Sequence, residues 1–303
     1  MEERPPEVRR HRQTSHATRA LAILGGLILG IGVLAAIAFA VVGRDSGDGS
    51  SAADPGTTTG PPPKPVLRIV FPEGFTRAQM AERITAVDKI AQEKRKVDPQ
   101  LSAREYMKLT ESTKPPAGFP RDVPNLEGFL FPATYDFIED TTTKELVTDQ
   151  LDAFNHAWSE IDLRYAKSKN LTPYDILIIA SMVEKEVLVP KERPLVAAVI
   201  YNRLHLDMPL GIDATIRYGL NIPPTQAILQ SQLDTPSPYN TRCCPGMPPT
   251  PIGNPGLASI QAAAHPAKVD YVYFVRKPDC KSHFFTASQQ EFDNYPRGGL
   301  DCG

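Results

Sequence analysis

From Ala20 to Gly43 the chain reads ALAILGGLILGIGVLAAIAFAVVG, with no charged or strongly polar side chain. A helix rises about 1.5 Å per residue, so this stretch covers a ~30 Å hydrocarbon core with some tilt. A cleaved signal peptide is the competing reading, but its apolar part runs only about 7 to 15 residues. Arg4, Arg9, Arg10, Arg12 and Arg19 precede the stretch, whereas Arg44 follows it beside Asp45. The positive-inside rule then puts residues 1–19 in the cytoplasm and everything after Gly43 outside, which predicts a single-pass protein of the plasma membrane. Gly26 and Gly30 form a G-x-x-x-G pair that could pack two such helices, although a plain lipid-facing helix explains glycines in so glycine-rich a span as well.

Residues 44–65 (RDSGDGSSAADPGTTTGPPPKP) lack any large apolar side chain. They cannot bury enough surface to fold and read as a tether. At Val66 the pattern changes. VLRIVF alternates like a short strand, and Thr76 with Gln79 opens an amphipathic helix by the capping-box pattern. A second short helix is predicted over Ser102–Thr110, so residues 66–118 make a small subdomain. Beyond it, helices are predicted from Thr142 to Trp158, from Asp175 to Val187 behind the cap Thr172 and Pro173, from Glu192 to Leu206, and from Leu257 to Ala264. The segments Asp270–Val275 and His283–Thr286 read as a hairpin closed by Lys-Pro-Asp, and Ser288 caps a last short helix. The prolines, 30 in all, gather before Val66 and between Pro223 and Pro255, where a long structured loop is expected. Residues 119–303 are thus a helix-rich α+β domain.

A net charge of −2, without a stripe of basic and aromatic residues, argues against nucleic acid as a partner. Cys243, Cys244, Cys280 and Cys302 all fall in the exported part, where oxidation is permitted, and none has the spacing of zinc ligands. They are disulfide candidates, and no metal is expected. Chemistry centres on Glu184-Lys185-Glu186. On a helical wheel Glu184 edges the apolar face made by Ile176, Ile179, Ala180, Val183 and Val187, and Glu186 points roughly 160° away. The two cannot serve one site. Partial desolvation beside apolar surface raises a carboxyl pKa toward the range of a general acid, which makes Glu184 the candidate. A glycosidase of the ordinary kind needs a second carboxylate, for which Asp213, Glu127 and Asp234 are open possibilities.

Several ordered blocks, Leu126-Glu-Gly-Phe-Leu-Phe-Pro-Ala-Thr-Tyr135, Ala180-Ser-Met-Val-Glu-Lys-Glu186, Tyr201-Asn-Arg-Leu204, Asp213-Ala-Thr215, Ser237-Pro-Tyr-Asn-Thr241, Pro248–Gly256 and His283-Phe-Phe285, resemble the MltG family of endolytic murein transglycosylases, also called YceG-like. The resemblance implies an anchored protein with a LysM-like subdomain at 66–118, a YceG-type catalytic domain, and no cofactor. It implies cleavage of the β-1,4 bond between MurNAc and GlcNAc in nascent peptidoglycan. One glutamate protonates the bridging oxygen and then serves as base on the C6 hydroxyl of the same MurNAc, which closes a 1,6-anhydro ring, so a second carboxylate is unnecessary. The family's acid falls on the first glutamate of the motif, Glu184. Asn202, Asp213, Ser237, Tyr239, Asn240 and His283 become candidates for holding sugar, with loop-building as the alternative for the first five and a structural hydrogen bond as that for His283. Peptidoglycan strands, the membrane, penicillin-binding proteins and the elongation machinery are the implied partners. A non-catalytic wall-binding scaffold is the competing function. Cys243-Cys244 and Cys280 depart from the family pattern, and one of the pair is expected to bridge Cys280 and the other Cys302. Asp213-Ala-Thr215 lacks the family's middle proline.

Overall fold

The computed structural model describes residues 64–296. The expected tail, transmembrane segment and most of the tether, together with Cys302, lie outside the described residues. Among the described residues no helix is long and apolar enough to cross a membrane.

Strand β1 (Leu67–Val70) leads into α1 (Arg77–Ile90) and α2 (Ala103–Ser112). The capping box at Thr76 is formed, with Gln79 N donating to Thr76 Oγ1 at 3.2 Å and Thr76 N to Gln79 Oε1 at 2.9 Å. Strand β2 (Thr134–Phe137) pairs antiparallel with β1 and brings Ile69 opposite Tyr135. Helix α3 (Thr143–Ser159) follows, starting on the Thr142–Glu145 capping box. These elements share one apolar core in which Ile69, Phe71, Met80, Ile84 and Tyr106 meet Phe129, Leu130, Leu146, Phe154 and Leu177. The boundary expected at 118/119 thus runs through a shared core. Residues 66–118 close their core only with side chains from beyond it, because a four-residue strand and two short helices cannot cover their own apolar faces.

After the short α4 (Arg164–Ser168) comes α5 (Pro173–Glu186), capped by Thr172 and Asp175 as the sequence predicts. Every residue from Ile176 to Val183 is buried. Such a helix is apolar all round and belongs at a centre. Leu177 joins the first core, while Ile176, Ile179, Met182 and Val183 join a second one with α6 (Arg193–His205) and α9 (Leu257–Ala264). Between α6 and α9 lie α7 (Asp213–Gly219), where the sequence predicts no element, and α8 (Gln230–Leu233), inside the proline-rich stretch expected to be loop. The hairpin of β3 (Tyr273–Arg276) and β4 (His283–Thr286) and the terminal α10 (Gln289–Asn294) complete the described chain, as expected.

The proline-rich loop is tied to the first core by Asn254, which is fully buried. Its Oδ1 accepts from Gly128 N and Leu130 N, both at 2.9 Å, and its Nδ2 donates to Phe75 O at 2.9 Å and to Glu127 Oε1 at 2.8 Å. Gly128 has φ +92°, and a Cβ there would stand 2.6 Å from Pro251, so only glycine fits.

Candidate active site

A cleft of about 1410 Å³ lies among the first turns of α1, the end of α5, α7 and the β3–β4 hairpin. Glu186, the last residue of α5, lines it, as do Glu127, Lys185, Asp213, Tyr218, Tyr239, Arg242 and His283. Glu184 does not.

The wheel separates the two glutamates as expected, but to the opposite consequence. Glu184 turns toward the start of α9, where Gly256 N donates to its Oε2 at 3.2 Å and Arg193 Nη2 lies 3.7 Å from its Oε1. A carboxylate there complements the positive end of a helix and joins α5, α6 and α9, with Arg193 Nε also donating to Ser259 at 3.0 Å. The edge of the apolar face is thus a packing seam. This placement leaves Glu184, the acid expected from the sequence, outside the lining of the cleft. Glu186 stands where the helix runs out of core and its surface opens on the cleft. Its carboxyl accepts the Ala214 N–H at the start of α7. Burial first, and then the charge of Asp213, push it from 4.5 up to about 7, against the pull of Arg276 and Arg242.

Glu127, at 3 % exposure, is the second perturbed carboxyl of the cleft. Burial raises it to about 7, while Arg77 N–H, the Tyr218 hydroxyl and the charges of Arg77 and Lys185 oppose that rise. Lys185 is pulled down by its own burial, against Glu127 and Glu184. Lys185, Tyr218 and Arg242 were not singled out by the sequence, which offers no spacing that would mark them.

The other candidates divide. Asp213 pairs with Arg242 at the cleft, through Nε at 2.7 Å and through Nη2. Tyr239 lines the cleft while its hydroxyl meets Thr250 Oγ1 at 2.8 Å. His283 is held by Glu192 at 2.8 Å through Nδ1, and both side chains are buried. Asn202, Ser237 and Asn240 are not brought to the cleft. Asn202 Nδ2 donates to Val269 O and Tyr271 O at 2.9 and 2.8 Å. Asn240 Nδ2 donates to Leu233 O and Thr235 O at 2.7 and 3.0 Å, and Ser237 Oγ accepts from Tyr239 N at 3.2 Å. These three build loops. Cys243 and Cys244 are exposed free thiols, whereas Cys280 is disulfide-bonded, so the expected bridge from the Cys243-Cys244 pair to Cys280 is not formed. Among the described residues no cluster of His, Cys, Asp and Glu could hold a metal ion.

Comparison with known proteins adds an independent line. An endolytic murein transglycosylase of Streptococcus pneumoniae is 34 % identical over 255 residues, 78 % of this chain and 45 % of the relative. One of Bacillus subtilis is 32 % identical over 214 residues, covering 70 % and 59 %. The chain thus spans about half the length of the curated relatives it matches. A crystal structure of a yceG-like protein from Listeria monocytogenes superposes with a TM-score of 0.64 at 28 % identity, over 75 % of each chain. The model of the YceG-like family matches residues 57–297, and this chain belongs to that family.

Proposed function

We propose that this protein is a membrane-anchored endolytic transglycosylase that cuts the MurNAc-GlcNAc β-1,4 bond of nascent peptidoglycan, with Glu186 as its acid and base. The observation that carries the reading is the carboxyl of Glu186 at the end of α5 lining the cleft, which burial and the charge of Asp213 push up to about 7. Near neutral pH such a group is protonated in a large fraction of molecules and accepts a proton readily once it has given one up. It protonates the bridging oxygen as the bond to C1 breaks. The C6 hydroxyl of the same MurNAc then attacks C1, its proton passes to Glu186, and the strand ends in 1,6-anhydroMurNAc. The relatives named for this activity support the chemistry. The apolar segment 20–43 and the tether support action close to the membrane, and residues 66–118 take the LysM-like position. Penicillin-binding proteins and the elongation machinery are the partners such a position favours.

The test is to supply the full-length chain in detergent with peptide-bearing glycan strands and analyse the ends produced. Anhydro ends from the wild type, and a loss of at least about 1000-fold in Glu186→Gln, are expected for removal of an acid that acts twice. Glu184→Gln retains most of the rate and loses stability. Reducing MurNAc ends would mean that water, not the C6 hydroxyl, attacks. Equal inertness of wild type and Glu186→Gln would leave a wall-binding scaffold.

A further inference from the structure

The cleft holds a second acidic element that the single-glutamate chemistry leaves unused. The Tyr218 hydroxyl donates to Glu127 Oε2 at 3.1 Å, and both residues line the same cleft as Glu186. Glu127 is fully satisfied from behind. Arg77 N donates to its two oxygens at 3.1 and 3.2 Å, and Asn254 Nδ2 donates to Oε1 at 2.8 Å. The phenol ring is fixed as well. Tyr218 packs on Tyr239 with centroids 5.3 Å apart, and a Cβ at Gly219 would come within 2.6 Å of Tyr239 Cβ, so the next residue along α7 leaves that ring its place. With its hydrogen committed to Glu127, the phenol oxygen keeps lone pairs free to accept or to face developing positive charge.

We propose, resting on the function inferred above, that Tyr218 is a further catalytic residue of this cleft and that Glu127 positions and polarises it. As the C1–O bond breaks, positive charge develops on C1 and the ring oxygen. The phenol oxygen answers by becoming more negative while its proton shifts along the hydrogen bond toward Glu127. When the C6 hydroxyl closes on C1 and gives its proton to Glu186, the phenol proton returns. No bond to the enzyme forms. Burial, and after it the Glu127 charge, raise the phenol above its ordinary value, so it remains a polarised donor and does not become a free phenolate nucleophile. A pre-oriented dipole is the kind of group that stabilises a transition state without reorganising.

The dyad has a signature in pH. Glu186 must be protonated, and Glu127 must be ionised to polarise the phenol. Both titrate at about 7. The groups facing Glu127 are Arg77 on α1, Tyr106 on α2, Lys185 on α5 and Tyr218 on α7. Those facing Glu186 are Asp213, Arg242 and Arg276. Of these, the two glutamates are expected to change charge between pH 6 and 8, while the tyrosines, raised by burial, stay protonated; burial lowers Lys185, against the charges of Glu127 and Glu184.

The experiment follows kcat and kcat/KM of the full-length chain on peptide-bearing glycan from pH 5 to 9, with thermal unfolding of each variant. The wild type is expected to give a narrow bell around pH 7. Tyr218→Phe, which keeps the ring, should lower kcat about 10- to 100-fold with little change in KM, and should lose the acid limb while keeping the alkaline one. Glu127→Gln should lose the same limb, and the two substitutions together should cost scarcely more than one. A Tyr218→Phe variant that stays folded and retains kcat within about two-fold, or retains the acid limb, overturns the proposal while leaving the Glu186 assignment standing. Full activity of Glu186→Gln overturns the acid assignment, and the dyad with it.

Discussion

At the residue scale the cleft turns on two glutamates separated by one lysine. Glu184 is half of a seam between helices, and Glu186 is an acid whose ionisation the fold resists. That resistance has a measurable sign. Glu186 titrates at about 7 in the folded chain against an ordinary 4.5. Below the ordinary value it is neutral whether folded or unfolded and costs nothing. Between the two values the unfolded chain gives up its proton first, and the folded state loses stability as pH rises. Above about 7 the cost is complete. Glu186→Gln is therefore expected to stabilise at pH 8 by on the order of 1–2 kcal/mol, since water on the cleft side discounts the full shift. At pH 4 the gain should vanish. Urea unfolding at both pH values checks this, and an equal gain at the two would refute it. The sequence disclosed that the two glutamates part company, because 100° per residue is a property of every helix. It did not disclose which one met solvent, since α9, which covers the edge of the apolar face, arrives from more than 70 residues away.

Among the elements, legibility followed local chemistry. The caps at Thr76, Thr142 and Thr172 were readable because a hydroxyl followed by Gln, Glu or Asp three residues on is a complete instruction within one turn. The β3–β4 hairpin was readable for the same reason, with Asp279 Oδ1 accepting from Lys281 N and Ser282 N, both at 2.9 Å, inside its turn. Strand β2 was not readable, since four residues become a strand only by pairing with β1, as in the match of Leu67 with Phe137. Helix α7 was missed because Ile212 precedes it without a side-chain cap and prolines lie downstream. A local instruction also has a local cost. Replacing Thr172 by Ala removes the bond to Asp175 N at 3.2 Å and is expected to lower stability by about 1 kcal/mol. The urea midpoint should fall with its slope unchanged. The cap lies about four turns from Glu186, so kcat should not move, and a fall in kcat at constant fold would show that α5 transmits strain along its length.

At the scale of the whole molecule, the two cores meet through α5 and through Asn254, and the cleft lies among the elements they hold. Glu127 belongs to the chain before α5 and Tyr218 to the chain after it, so the distance between them depends on both cores keeping their relation. Asn254 fixes part of that relation with four hydrogen bonds to Phe75, Glu127, Gly128 and Leu130. Asn254→Ala would leave two backbone N–H groups and a carboxylate short of a partner in a buried place, at about 3 kcal/mol or more. The shared first core makes a stronger demand. A chain beginning at residue 119 would strip β1 from β2 and bare Phe129, Leu130, Phe154 and Leu177, which pack against Ile69, Phe71, Met80, Ile84 and Tyr106. Losing five large buried side chains at about 1.5–3 kcal/mol each exceeds the 5–15 kcal/mol by which a domain is ordinarily stable at its lower end. That fragment is expected to show no cooperative thermal transition and rapid proteolysis near α3. If it melted cooperatively within a few degrees of the longer chain, residues 66–118 would be an appendage after all. The fragment's failure would instead show that the segment nearest the tether is a wall of the catalytic body, and that the cleft exists only when both parts fold together.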